Sequence, residues 1–376
     1  MRRTLHRHPE MRFREHRTSR LIADALVAAG LEVTTEVGGT GVVATLKRGT
    51  GERHVAFRAD MDALPVEDTK DAWYKSTVAG VSHACGHDAH VAIAVSVARR
   101  FAEQNDWTGR VSFIFQPAEE TPFGQPSGAR TMLLAGVLDL LPGIDALFAL
   151  HCWPALPVGT IGVESGPAMG AKEAFQIDVT GRAAHVASPQ EGIDAVLVAS
   201  SIVQGLHQIA SRRVAPGANC VMHVGTITGG RSQSIVADTA SMTGTIRASE
   251  QEILTLLHAA VDQTVAGIAA AWDAQADVTW ADAMPPVAND PSLAELARQL
   301  LPAVPLPATP LTADDFALFA ERVPALYLKL GVRGPERGGA PLHSAGFDID
   351  ERALGVGIAG LHDLAEAILR APVPTS

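Results

Sequence analysis

Three apolar segments of this chain each run into residues that can bind a metal or carry a proton, and this arrangement constrains the fold more than any other feature. RHVAFRAD leads to Asp60 and Asp62, GRVSFIFQ leads to Glu119 and Glu120, and DALFAL leads to His151. In open α/β sheets, ligands bind outside the carboxyl ends of the strands. Chance would not usually arrange three such strand ends in succession, so the pattern predicts one polar site at an edge of an α/β sheet.

The octapeptide HACGHDAH, residues 83–90, adds three histidines, a cysteine and an aspartate. Thiolate and imidazole are the protein groups that best bind borderline transition metals. Cys85 and His87 flank Gly86, which lets the backbone turn so that both side chains face one point. An apolar helical run follows, so we expect a loop before a helix, with Asp88 as the N-cap. From these residues alone, a histidine-rich surface turn or a buried free cysteine remains the alternative.

Glu119 and Glu120 are adjacent, so their carboxylates point in different directions. One can therefore bind a metal while the other transfers a proton, which is the division of labour that metal-assisted hydrolysis needs. The alternative for both glutamates, and for the aspartates after the first strand, is an ordinary acidic loop. Together with the octapeptide, the strand ends favour a metal site.

Length and charge exclude several classes of protein. A chain of 376 residues is too long to fold around one compact hydrophobic core, so we predict two domains. The net charge of −11 offers nothing to neutralise a phosphate backbone, so nucleic acid is not an expected partner. The sequence contains no run of 18 apolar residues, so we predict no membrane span. The basic N-terminus lacks the apolar segment of a signal peptide. Three cysteines suit a reducing compartment, so we expect a cytoplasmic protein.

The pattern of predicted elements changes near residue 170 and again near residue 285. Residues 171–284 read as strand, helix, two strands, helix and strand, which is a complete α+β unit. The flanking ranges alternate strands and helices, as α/β domains do. We therefore predict an α/β catalytic domain, formed by 1–170 and 285–376, into which an α+β domain is inserted.

Ten motifs occur in a fixed order and cover nearly the whole chain: HRHPE, GGTGVVA, RADMDALP, HACGHDAH, FQPAEE, LHCWP, GRAAHVASP, GTIR, DDF and LHS. Together they resemble the amidohydrolase branch of the aminoacylase/carboxypeptidase metallopeptidase family. That branch includes hippurate hydrolases, N-acyl-amino-acid amidohydrolases and indole-acetyl-amino-acid hydrolases. The resemblance implies a zinc-peptidase-like catalytic domain, an inserted lid and dimerisation domain, a homodimer and a dinuclear metal site.

Site residues follow from the matching positions. The resemblance implies that Glu119 is the general base, that His185 is the lid histidine that polarises the scissile carbonyl, and that Asp62 orients a ligand. It also implies that Arg247 grips the substrate carboxylate, a bidentate task that suits a guanidinium. The implied metal ligands are Cys85, His87, Glu120, His151 and His343. They would hold two divalent ions, zinc or manganese first, with cobalt or nickel also compatible.

The implied reaction is hydrolysis of an N-acyl or N-aroyl amino acid, a linear amide, by a metal-activated water. Two departures concern the substrate: SIVAD at 234–238 replaces the usual Asn-Val-Ile-Pro-Asp, and Asp314 replaces a glutamate. They leave open a related C–N hydrolysis: cleavage of a dipeptide or of an unusual amide, or deamination of an amine. A non-catalytic dimeric binding protein is the third reading, against which the complete set of ligand types argues. Whether His185 acts in its own subunit or across a dimer stays open.

Overall fold

The computed structural model describes residues 1–122 and 124–371, which form two main sheets and the helices that cover them. The strands are β1 (Glu32–Val37), β2 (Gly41–Arg48), β3 (His54–Asp60), β4 (Gly109–Gln116), β5 (Ala146–Pro157), β6 (Ile161–Gly162), β7 (Gly166–Met169), β8 (Ala171–Thr180), β9 (Cys220–Gly229), β10 (Thr239–Ala248), β11 (Gln275–Met284), β12 (Val287–Asn289), β13 (Ala303–Val304) and β14 (Ala325–Arg333). The helices are α1 (Arg2–Arg7), α2 (His16–Ala28), α3 (His87–Glu103), α4 (Gly128–Leu134), α5 (Val137–Leu140), α6 (Ala195–Arg212), α7 (Gln251–Ala271), α8 (Pro291–Leu300), α9 (Ala317–Ala320) and α10 (Arg352–Arg370).

The larger sheet runs in the order β1-β2-β4-β3-β5-β14-β6-β13 across the described residues. Its centre, β4-β3-β5-β14, is parallel, while β1 and β2 add an antiparallel hairpin at one edge. Helices α2, α3 and α10 pack on one face, and α4 and α9 pack on the other. Every residue of β3 is buried, as expected for a parallel strand that is covered on both faces. The predicted α/β class is confirmed.

The smaller sheet runs in the order β11-β8-β10-β9 and is antiparallel. Helices α6 and α7 cover it and share a hydrophobic core of their own with it. All of these elements fall within the range predicted for the inserted domain, 171–284. The separate cores support the predicted domain bounds, which stay a prediction: 1–170 with 285–376, and 171–284. Residues 123 and 372–376 lie outside the described residues.

Helix α7 is the one helix in the described ranges that is long and apolar enough to cross a membrane. A single helix of this kind is weak evidence, because the core helices of water-soluble proteins pass the same test. Leu257, Val261 and Val265 of α7 are buried in the core beneath the smaller sheet. About one third of the apolar stretch of α7 is buried in this way (33%).

Two local predictions are wrong. Helix α3 begins at His87 and is capped by Gly86, whose φ of 95° is left-handed, so Asp88 is not the N-cap but lies in the first turn. Its carboxylate instead binds the buried Arg2 and His6, at 2.9 and 2.7 Å. The strand predicted to end at His151 instead extends to Pro157, because β14 still pairs with it beyond His151, at Cys152, Trp153 and Pro157.

Candidate active site and metal centre

Cys85 lies at the centre of a cluster of predicted ligands that come from four separate segments. Its Sγ is 3.4 Å from Nε2 of His151 on β5 and 3.3 Å from Nε2 of His343, in the loop before α10. Nε2 of His343 is in turn 2.8 Å from Oε1 of Glu120, in the loop after β4. The structure thus brings together side chains that are up to 258 residues apart in the chain.

His87 presents one free nitrogen to this cluster. Its Nδ1 contacts Oδ1 of Asp62 at 3.1 Å, and the other Asp62 oxygen accepts the backbone N–H of Glu120 at 3.0 Å. Nε2 of His87 is buried and has no hydrogen-bond partner in the described chain. Potential ligand atoms of Cys85, His87 and His151 all lie within 4.8 Å of one another. A buried, unpartnered nitrogen that faces a thiol and an imidazole is the expected arrangement of a metal ligand whose other nitrogen is fixed by a carboxylate.

Glu119 faces a second group of acids. Carboxylate oxygens of Glu119, Asp314 and Asp315 lie within 4.8 Å of one another. The fully buried Arg58 binds Asp314 and Asp315 at 3.1 and 2.9 Å, and it also binds Asp60 at 2.6 Å. This arginine offsets the charge of the surrounding carboxylates, while Glu119 itself has no described ion pair and remains available for proton transfer.

Two residues that position this site have a left-handed backbone conformation. Ala118, which precedes the acidic pair, has a φ of 49°, and His343 has a φ of 60°. Such conformations cost about 1–3 kcal/mol each in non-glycine residues and persist where the surroundings enforce them. Here Glu15 accepts the N–H of Ala118 at 3.0 Å, Gly128 donates to the Ala118 carbonyl at 2.8 Å, and the N–H of His343 donates to the carbonyl of Ala84 at 2.8 Å.

Burial and crowding of like charges shift the pKa values at the site. Burial raises the pKa of the Cys85 thiol well above its usual range, and the negative charge of Glu120 raises it further. The pKa of Glu119 is likewise raised by burial and by Glu120. Burial opposes the charged form of His87, but Asp60, Asp62 and Glu120 together outweigh it and raise the pKa of His87 to about 10. Without a cation, all three shifts favour the protonated forms of these groups.

The donor set fits divalent cations. It combines one thiol, imidazole nitrogens and carboxylates, which are the ligand types of zinc and related metals. Cys85 belongs to two trios whose ligand atoms converge, one with His87 and His151 and one with Glu120 and His343. A cation in this place would displace the protons that burial and repulsion now hold on the site.

A cavity of about 280 Å³ extends from this cluster to the smaller sheet. Cys85, Glu119 and His151 line it from the catalytic part of the chain, and Arg247 and Lys172, from strands β10 and β8, line it from the smaller sheet. The Arg247 guanidinium also donates to the carbonyl of Leu311 at 3.0 Å, which connects the smaller sheet to the catalytic part of the chain. A substrate in this cavity would therefore lie between the acidic cluster and two cations.

His185 is the one predicted site residue that the structure leaves apart from both the ligand cluster and the cavity. It is exposed beyond the far end of β8, where it forms a β-bridge with Ile235. Its Nδ1 accepts the backbone N–H of Ala187 at 3.1 Å, and it does not line the cavity. Its role in the reaction stays a prediction.

Sequence reasoning missed Arg58 and Lys172. Arg58 interrupts the apolar strand RHVAFRAD, and a lone cation in a strand that is buried on both faces is a signal that could have identified it. Asp314 was recognised as a departure within the DDF motif, but its position beside Glu119 was not predicted. Lys172 carries no local signal, because its orientation depends on the register of β8.

Comparisons with known proteins support the same chemistry. A model of peptidase family M20/M25/M40 matches residues 56–367. The chain belongs to this family. Thermostable carboxypeptidase 2 of Saccharolobus solfataricus is 35% identical over 376 residues, which cover 98% of this chain and 93% of that protein. N-acetylcysteine deacetylase of Bacillus subtilis is 35% identical over 379 residues, which cover 98% and 96%.

Among solved structures, a dinuclear metal-binding peptidase of the M20 family from Bacillus subtilis aligns with a TM-score of 0.85 and 33% identity. The alignment covers 99% of this chain and 97% of that one. This M20 member is therefore a hydrolase that acts on amide bonds. The predicted family and the predicted fold class, a zinc-peptidase-like α/β domain with an inserted α+β domain, are confirmed.

Proposed function

We propose that this M20 hydrolase cleaves the amide bond of N-acyl or N-aroyl amino acids, releasing a carboxylate and a free amino acid. The observation that carries the proposal is the polarity of the cavity. Candidate metal ligands and Glu119 line it from the catalytic part of the chain, and Arg247 lines it from the smaller sheet. An amide beside the first group and a carboxylate beside Arg247 describe an acylated amino acid. The name of the relative N-acetylcysteine deacetylase supports this substrate class.

We further propose that two divalent cations bind Cys85, His87, Glu120, His151 and His343. The dinuclear site named for the related Bacillus subtilis peptidase and the unpartnered Nε2 of His87 support this assignment. When bound, divalent cations lower the pKa of a water toward neutrality and polarise an amide carbonyl. Zinc and manganese are the first candidates, and the donor set also suits cobalt or nickel.

Three side chains would then have separate roles in the reaction. Asp62 holds Nδ1 of His87, so that Nε2 faces the site. Glu119 accepts the proton of the attacking water and returns it to the amine that leaves, and burial together with the charge of Glu120 keeps its basicity high. Arg247 fixes the substrate carboxylate and thereby the distance of the amide from Glu119.

We propose that His185 stabilises the oxyanion after the lid closes or from a second subunit, since it lies outside the cavity in the single chain. The homodimer would form through the lid. Strand β9 is the edge of the smaller sheet, and its exposed Val221 and Ile227 offer an unpaired apolar edge to a second copy. Light scattering coupled to size-exclusion chromatography tests this assembly, and a monomer at working concentration would contradict it. A cytoplasmic location stays a prediction.

A single assay tests the proposed reaction. The metal-loaded protein is incubated with N-acetyl, N-benzoyl and indole-acetyl amino acids, with and without a chelator, and free amine is measured with ninhydrin. We expect chelator-sensitive release. Glu119→Gln should lower kcat by about 10²–10⁴-fold at unchanged metal content, whereas the exposed Glu52→Gln should leave it unchanged. A protein with bound metal that releases no amine from any of these compounds would refute the proposal.

A further inference from the structure

Two cations face the substrate cavity side by side. Lys172 on β8 is the direct antiparallel partner of Arg247 on β10, and both side chains line the cavity that contains Cys85 and Glu119. Residues that are directly opposite on neighbouring strands project from the same face of a sheet, with Cβ atoms about 4.5–5.5 Å apart. The pair is therefore a single patch of double positive charge.

The chain itself does not neutralise this patch. Like charges directly opposite one another destabilise a sheet. On its other side Lys172 pairs with the neutral Met284, and within the described residues it has no ion pair and no hydrogen bond. The described hydrogen bond of Arg247 goes to a backbone carbonyl, that of Leu311, and not to a carboxylate. The adjacent Glu173 contacts His258, at 2.8 Å, instead of either cation.

The rest of the cavity explains why a ligand must supply the missing charge. Trp153, Met169 and Leu342 also line it and are apolar or weakly polar. The acidic groups that line the cavity, Glu119, Glu120 and Asp314, belong to the catalytic part of the chain, where bound cations and Arg58 would neutralise them. One substrate carboxylate would balance one of the two cations on the smaller sheet and leave the second without a partner.

We propose that Lys172 and Arg247 together select a substrate with two carboxylates, the N-acyl derivative of an acidic amino acid. The α-carboxylate binds the guanidinium of Arg247, whose planar fork suits bidentate contact. The side-chain carboxylate binds Lys172, whose flexible stem and single point of charge tolerate acids of different length. This inference rests on the proposed function and specifies which amino acids that reaction releases.

The test compares two substrates of the same shape that differ in one charge, N-acetyl-L-glutamate and N-acetyl-L-glutamine. We expect wild-type kcat/KM to favour the glutamate compound by at least about tenfold, the effect of one charged hydrogen bond. Lys172→Gln should lower kcat/KM for N-acetylglutamate by about 10–100-fold, mainly through KM, and remove the discrimination. Lys172→Arg should retain the preference, and the exposed Lys47→Gln should not alter it.

Equal hydrolysis of the two compounds by the wild type, or a discrimination that Lys172→Gln leaves intact, would overturn the inference. Hydrolysis of neutral acyl-amino acids without hydrolysis of N-acetylglutamate would overturn it while supporting the proposed function. Calorimetric binding to Glu119→Gln gives a readout that needs no turnover, and there N-acetylglutamate should bind at least about tenfold more tightly than N-acetylglutamine. If neither compound is hydrolysed or bound, this inference fails, and the wider panel of acyl-amino acids decides the proposed function separately.

Discussion

Oδ1 of Asp62 lies 3.1 Å from Nδ1 of His87, which leaves Nε2 as the nitrogen that faces the candidate metal site. The other oxygen of the same carboxylate accepts the backbone N–H of Glu120 at 3.0 Å. Asp62 therefore orients candidate ligands on two different segments, the first turn of α3 and the loop after β4. Carboxylates that hold a metal-binding histidine in this way raise both its basicity and its affinity for metal.

Asp62→Asn should lower the affinity for zinc by about 10–100-fold, because an amide orients the imidazole less strongly and does not increase its basicity. Competition with a chromogenic chelator of known affinity measures this change. Asp24→Asn, at an exposed position, is the matched control. Equal zinc affinities in the two variants would show that Asp62 has no role in orienting His87.

Glu15 gives the protein a pH dependence that does not involve a candidate ligand. Its buried carboxyl accepts the Ala118 N–H at 3.0 Å and the Thr40 hydroxyl at 2.5 Å. Burial raises the pKa of Glu15 from 4.5 to about 7, against the effect of the Thr40 hydrogen bond. Since the folded-state pKa is the higher one, this contribution to stability is complete below pH 4.5 and is lost as the pH rises through about 7.

In the metal-free protein, ionisation of Glu15 should lower the free energy of unfolding between pH 5 and 8 by about 3 kcal/mol at most. Glu15→Gln should remove this loss. Above pH 7 the variant should be at least as stable as the wild type, because glutamine still accepts the Ala118 N–H and carries no charge. Urea unfolding at several pH values provides the measurement. Parallel pH profiles for the two proteins would contradict this account.

Adjacent arginines of α1 have opposite environments. Arg2 is 3% exposed and binds Asp88, Asp348 and Glu351, whereas Arg3 is 46% exposed and binds Glu351. Arg2→Met should destabilise the protein by about 3–5 kcal/mol, because it leaves buried carboxylates without a counter-charge. Arg3→Met is the control and should have a small effect, as the loss of exposed ion pairs usually does. Urea unfolding compares them, and similar losses would show that burial of Arg2 is not decisive.

His185→Ala should lower kcat by about 10²–10³-fold without changing the metal content, because it removes a donor to the developing oxyanion. His207→Ala, on α6, is the control. Mixing His185→Ala with Glu119→Gln subunits then locates the donor. Activity returns if His185 serves the neighbouring subunit, and it stays low if His185 serves its own. An unchanged kcat in the single variant would exclude His185 from the reaction.

The candidate site could be predicted from the sequence where its chemistry is local. Cys85 and His87 are separated by one glycine, so their convergence is visible within three residues. His343 differs, because it meets Cys85 across 258 residues and lies in a loop with no distinguishing pattern. Only the family resemblance identified it as a ligand. Arg58 differs from His343, because a cation in a buried strand is a local signal, and only its distant partner Asp315, 257 residues away, could not be predicted.

The architecture was predictable from the change of periodicity near residue 170, but the pairing of strands was not. Lys172 and Arg247 meet because β8 and β10 pair in one particular register. A slip of one residue would turn Lys172 to the opposite face of the sheet. Hydrophobic alternation in β8 identifies its buried face, yet it does not determine which residue of β10 lies opposite.

Strand β8 separates His185 from the two cations that line the cavity. Lys172 and Arg247 lie at the end where the smaller sheet joins the catalytic part of the chain, and His185 lies beyond the other end. Ten residues of strand span about 33 Å, so within one chain the proposed carboxylate contacts and the proposed oxyanion donor are far apart. If a second subunit supplies His185, capture of the substrate and assembly of the catalytic groups would be separate events.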